Sequence, residues 1–250
     1  MDAVDVLLLL DIVGYNSMST RSQRECHLNA RRTLMRHRLG TLADLLLILL
    51  LAPYTSAQLP TAGGKKSDYS QEPVVVEQIR MKMSIENNGT STREITARVR
   101  IQWEAGVRQY GLLMFDYAEA NERVEIDHVR VRKPDGVVIV TPTENVQDLP
   151  AEVTRAAPMY SDLREKHVAV KGLEVGDVVE YGVRWHLHTP VIPGHFWLDY
   201  NFYRDAIVLQ EELVVSVPRD REVKVKSSGP EPSISEQAGR RTYTWKTANL

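Results

Sequence analysis

A large antiparallel β-sandwich, an all-β fold, is what this 250-residue sequence predicts, and three observations carry the prediction. Long stretches alternate apolar and polar side chains with period two, turns rich in Gly, Pro and Asn separate them, and few helical periods intervene. Strands without crossover helices between them cannot be βαβ units, so they pair antiparallel and bury their apolar faces against one another.

Residues 1–34 open acidic and sustain neither a helical nor a strand period, which marks a non-structural upstream extension. A short helix from Val4 to Val13 is the alternative reading. From Met35 the chain has the three-part layout of a secretory signal: basic Arg36 and Arg38, an apolar core from Leu42 to Ala52, and small Thr55, Ser56 and Ala57. That core is well under the roughly 18 residues of a spanning helix, and Asp44 interrupts it, which disfavours an anchor or a buried helix. Residues 35–57 are therefore expected to be a signal peptide cut after Ala57, with translation starting at Met35 or Met18. Cleavage there removes Cys26, the single cysteine, and with it any disulfide or thiol nucleophile. It leaves a net charge of −3, so no membrane span, nucleic-acid partner or anionic surface is expected for the mature chain. The expected location is outside the inner membrane, periplasmic or extracellular.

Residues 58–73 read as a flexible linker; its "GGKKS" lacks the upstream glycine and leading strand of a phosphate loop. The β domain then spans 74–250. Ile79, Met81, Met83 and Ile85 alternate with Gln78, Arg80, Lys82 and Ser84, a turn follows at Asn88-Gly89, and the return strand turns Ile95, Ala97, Val99, Ile101 and Trp103 inward. "VEIDHVRVRKPDGVVIV" holds two short strands around Pro134-Asp135-Gly136, and Gly172 to Gly176 leads into the strand "VVEYGVRWHLH". An aromatic strand "FWLDYNFY" comes next. "AIVLQEELVVSVP" then places Ile207, Leu209, Leu213, Val215 and Val217 on one face, and weaker strands at "EVKVK" and "RTYTWK" close the chain.

His186, His188 and His195, with Asp199, have the residue types of a metal site. Strand parity argues otherwise: Val179, Tyr181, Val183, Trp185 and Leu187 take the apolar face, and His186 and His188 share the polar one with Arg184, a fixed cation that repels a divalent metal. The expectation is solvated histidines and no metal or cofactor. The acidic run at Asp116, Glu119, Glu122, Glu125 and Asp127 lacks the spacing and bend glycine of a calcium loop and reads as a solvated edge. No G-x-S-x-G or H-E-x-x-H occurs, and no catalytic residue is assigned. In the aromatic strand, Trp197 and Tyr203 lie opposite Phe196, Leu198, Tyr200 and Phe202. They belong either to a strand buried on both faces or to an exposed patch for a partner domain or a sugar.

"YSDLREKHVAVKGLEVGDVVEYGVRW", most of all its L-x-V-G-D-V-V-E-Y run at Leu173 to Tyr181, followed by a proline-containing loop, aromatics and "LVVSVPRD", resembles the family of domains of unknown function numbered 3857 (DUF3857). The resemblance covers roughly 74–250. It implies a bacterial, secreted or periplasmic β-sandwich with no established activity, in front of a transglutaminase-like Cys-His-Asp domain. No such domain precedes Leu250, and ending soon after a strand favours a fragment over a module standing alone. The functional expectation is an exported, non-catalytic accessory module that binds a following transglutaminase-like domain or a cell-surface protein or glycan. The rival readings are a metal-dependent enzyme built on the histidines and a carbohydrate-binding module built on the aromatics.

Overall fold

The computed structural model describes residues 7–9, 69–159 and 161–250. The expected signal peptide, its Ala57 cleavage point, the Met18 and Met35 starts and most of the 58–73 linker lie outside the described residues. Within the upstream extension, Leu7–Leu9 is a strand, β1, rather than part of a helix over Val4 to Val13.

In chain order the further elements are β2 (Val74–Ile85), β3 (Ser91–Ile101), α1 (Glu104–Tyr110), β4 (Leu112–Ala118), β5 (Glu122–Arg132), β6 (Val138–Val140), β7 (Val146–Pro150) and α2 (Glu152–Ala156). They continue with β8 (Leu163–Ala169), β9 (Val178–Leu187), β10 (Leu198–Asp199), β11 (Val208–Pro218), β12 (Lys224–Lys226), β13 (Ser233–Gln237) and β14 (Arg240–Asn249). The fold is all-β and sandwich-like. Eight strands in the order β13-β14-β11-β2-β3-β9-β5-β6 form the large sheet, β4-β8-β7 a small one, and β1 lies between β10 and β12. One contact of the large sheet, β2 with β11, is parallel, against the wholly antiparallel expectation. These strands are far apart in sequence, so no tight turn dictates their sense.

Period-two patterning does its work in β2, where Ile79, Met81, Met83 and Ile85 are buried and Gln78, Arg80 and Lys82 exposed. Across the sheet these residues meet Ile101, Val179, Leu213 and Val215, each almost wholly shielded, and each such side chain contributes roughly 1.5–3 kcal/mol by leaving water. Three covers lie over this inner face. The small sheet sets Leu113, Phe115 and Tyr117 against Val124, Val183 and Trp185. Tyr110 of α1 and Val170 and Leu173 cover the middle. The run 196–202 brings Phe196, Leu198, Tyr200 and Phe202 onto Met83, Leu213 and Trp245.

That aromatic run is not the strand its alternation predicts: only Leu198–Asp199 pairs, with β1, while its parity persists in inward Phe196, Leu198 and Phe202. Other departures have local causes. A register shift between Val208 and Glu211 inverts the expected phase at the start of β11, so Val208 is buried and Leu209 is not, while beyond it Leu213, Val215 and Val217 face inward as expected. Trp103, expected inward on the strand, lies beyond its end as the residue before α1; it is half-exposed and donates its indole N–H to Ser70 O at 2.8 Å.

The run at Leu173 to Tyr181 turns the chain from the small sheet into the large one. Gly176 holds φ at 94°, which a side chain resists. The adjacent Asp177, 1% exposed, accepts Glu174 N–H at 2.7 Å and Lys133 Nζ at 2.9 Å. Glycine makes the turn, and aspartate ties it to the β5–β6 hairpin.

Candidate functional site

The two faces of the large sheet treat arginine in opposite ways. On the outer face Glu77 takes Arg98 and Arg100, and Glu180 takes Arg98, Arg130 and Arg132. Arg80 meets Glu212 at 2.9 Å, and Arg184 meets Asp127 at 3.0 Å. Glu180 shares parity with His186 yet is only 6% exposed, because the arginines close over it. Burial raises its pKa, and the guanidiniums that hydrogen-bond it outweigh that and leave it lowered.

Arg93 sits on the inner face. β-Pairing sets it in one row with Met83 of β2, Trp185 of β9 and, beyond Trp185, Val124 of β5, all three buried. Its guanidinium carbon lies 4.4 Å from the Trp185 ring centroid, a cation–π contact that replaces part of its lost hydration. Arg93 Nε is buried without a hydrogen-bond partner, and no ion pair holds the side chain among the described residues. Burial lowers its pKa, with the charge of Glu122 acting the other way.

This row floors a cleft of about 370 Å³, within the size range of small-ligand sites. Eight of its thirteen lining residues are apolar. Leu187 and Met83 lie on the sheet side, and Pro190, Val191, Phe196 and Trp197 form the opposite wall. The polar lining is Ser91, Arg93, Glu122, His195 and Asp199. Trp197, 59% exposed, stands on the rim.

The wall is held from both ends. Asn121 O accepts His188 N–H at 3.0 Å, and the Asn121 side chain donates to Thr189 O at 2.6 Å. At the other end, Gly194 N–H donates to Asn88 O at 2.8 Å, and Arg221 donates to Asn87 O and Gly194 O. Gly89, with φ 90°, approaches so closely that a Cβ there would stand 2.8 Å from His195 O. Arg221 also lies 5.1 Å over the Phe196 ring.

The four residues considered for a metal are divided between the two faces of the sheet. His186, on the outer face, contacts Thr92 Oγ1 at 3.3 Å and Glu125 Oε2 at 3.5 Å. His188 is exposed past the end of β9 and contacts Thr189 Oγ1 at 2.9 Å. His195 and Asp199 line the cleft. No group of three or more metal-type side chains converges among the described residues. Trp197 and Tyr203 are both exposed but do not share a recess: Tyr203 lines a second one, of about 200 Å³, with Arg204, Pro230 and Asn249.

Ser91, His195 and Asp199 have the residue types of a nucleophile, base and carboxylate, but the histidine is engaged elsewhere. His195 Nδ1–H donates to Pro193 O at 3.1 Å, and no hydrogen bond joins it to Ser91 or Asp199 among the described residues. A proton relay requires such contacts. Beneath the aromatic run lies Glu211, 2% exposed, which accepts Tyr200 OH at 2.8 Å and Tyr203 N–H at 3.1 Å; burial raises its pKa over the lowering effect of those bonds.

Sequence reasoning missed Arg93, although the signal was present. Stepping back by two from the inward Ile95 reaches Arg93 and Ser91, so the parity that turns Ile95 inward turns the cation inward too.

A family model described as "Domain of Unknown Function with solved-structure structure (DUF3857)" matches residues 87–250. The chain belongs to the DUF3857 family. The match begins after β2, although β2 pairs with both β3 and β11. No curated protein matches the chain. Among solved structures, this DUF3857 chain resembles the crystal structure of a putative protease from Parabacteroides distasonis, with 16% identity, a TM-score of 0.60 and 71% of this chain covered. It spans 36% of that protein's length, and the likeness is one of fold. A weaker likeness, TM-score 0.39 and 12% identity, is to an M1 zinc metallopeptidase of Deinococcus radiodurans bound to Tyr-Ser-Ala; it covers 70% of this chain and 39% of that one and carries no argument.

Proposed function

We propose that the chain is an exported, non-catalytic β-sandwich module that binds a ligand or partner, working beside a transglutaminase-like or peptidase domain of a longer protein. One observation carries the reading: a cleft whose walls are clamped at both ends and whose floor holds a partly desolvated cation with no ion pair among the described residues. Such a cation lowers fold stability unless something binds it, which is what a binding site requires. Membership of DUF3857 supports the reading, and so does the likeness to about a third of a putative protease, a size that suits one module of several. The signal layout at 35–57 supports export to the periplasm or beyond.

Incubation of the full chain with a mixture of peptides and cell-wall glycans, followed by mass spectrometry of the retained fraction, tests the proposal. The expected outcome is ligand recovered unchanged. Cleaved ligand, with cleavage abolished by Ser91→Ala or His195→Ala, would make the chain an enzyme. Stoichiometric zinc in untagged protein, lost on His186→Ala, would favour the metal-dependent rival.

A further inference from the structure

We infer that the cleft over Arg93 binds the free C-terminal carboxylate of a peptide whose last residue is apolar, an assignment that rests on the binding-module reading. Arg93 presents guanidinium donors at the floor of the cleft, and no carboxylate of the chain pairs with it among the described residues. The planar guanidinium matches a carboxylate through two parallel hydrogen bonds, and the low-dielectric wall strengthens them. Trp185 beneath keeps the cation in place without consuming its donors.

The surroundings define what carries the carboxylate. Leu187, Val191, Phe196 and Trp197 offer an apolar wall, so the group attached to the acid is a hydrocarbon or aromatic side chain rather than a polyol. Glu122 and Asp199 also line the cleft. They repel a second negative charge, which excludes a dicarboxylate or a phosphate dianion. As an acceptor, Glu122 matches the amide N–H that lies next to a C-terminal carboxylate in every peptide. Floor cation, apolar wall and acceptor together describe the end of a peptide chain, bound one residue deep.

Titration of the full chain by calorimetry with N-acetyl-L-phenylalanine, its neutral carboxamide and N-acetyl-L-aspartate tests the assignment. The acid is expected to bind at least about tenfold tighter than the carboxamide, the advantage of a charge-assisted over a neutral contact. The dianionic aspartate derivative should bind at least about tenfold more weakly than the phenylalanine acid. Arg93→Met should bring acid and carboxamide within about twofold of each other, whereas Trp197→Ala should weaken both by a similar factor. Equal binding of acid and carboxamide by the unaltered chain, an acid preference that survives Arg93→Met, or no binding of either probe would each overturn the assignment. None of those results touches the module reading, which falls if the retained ligand is turned over or if stoichiometric zinc depends on His186.

Discussion

The large sheet carries arginine on both faces, and the contrast separates side chains that hold the fold from one that the fold must tolerate. Outside, Arg98, Arg100, Arg130 and Arg132 surround Glu77 and Glu180 in a paired lattice. Inside, Arg93 has an indole for company and a buried Nε with no acceptor among the described residues. Paired guanidiniums exchange water for carboxylate; an unpaired one surrenders water and waits for a ligand. The same strand, β3, supplies both kinds at positions of opposite parity, so the difference comes from facing and not from local sequence chemistry.

Breaking the inner row should have the largest effect. Trp185, 6% exposed, packs edge-on against Phe115 at 5.9 Å and floors the cleft. Trp185→Ala is expected to cost about 3–5 kcal/mol by urea denaturation, in the range of large core truncations. A loss under about 1 kcal/mol would mean that the small sheet does not pack there as described.

The outer lattice should respond less. Glu180→Gln leaves three guanidiniums facing one another over a neutral amide, and because each is more than a third exposed, the expected cost is about 2 kcal/mol, below that of a fully buried pair. Stability should recover partly in high salt, where the residual repulsion is screened. Gly89→Ala combines a strained φ with a clash against His195 O and should cost about 1–2 kcal/mol, with altered Trp197 fluorescence as the wall shifts.

Glu211 shows how the inner face treats an acid. Its pKa is raised in the folded chain, so its contribution to stability is full below the ordinary glutamate range and is lost as pH rises through the folded value. As pH rises above the ordinary glutamate range the unaltered chain should therefore lose stability relative to Glu211→Gln, as read by thermal melting at several pH values. Parallel profiles for the two proteins would contradict a raised folded-state pKa for Glu211.

The β-architecture was legible because β2 and β3 bury one face more than the other and β9 alternates apolar and polar residues even though Glu180 on its outer face is covered, and a two-residue period reports that directly. Strand β4 was not, since Leu112 and Met114 on its exposed side are as apolar as Leu113 and Phe115 on its buried side, and the period disappears. Exposed β13 has almost no apolar pattern to read, and the β11 bulge changed which residues face inward without a glycine to announce it. Histidines drew attention by their residue type, yet the sheet sends His186 outward while His195 joins the cleft through a loop after β9. Arg93 was readable by parity but reads as an ordinary strand arginine until the depth of its row is known.

Equilibrium denaturation of Arg93→Met beside Arg130→Met tests the central claim most directly. Methionine keeps the contact with Trp185 and removes the unpaired charge, so Arg93→Met should be as stable as the unaltered chain or up to about 1 kcal/mol more stable. Arg130→Met, which strips Glu180 of a partner, should be less stable by about 1 kcal/mol. Destabilisation of both to a similar degree would contradict the account, because Arg93 would then be holding the fold and not waiting for a ligand.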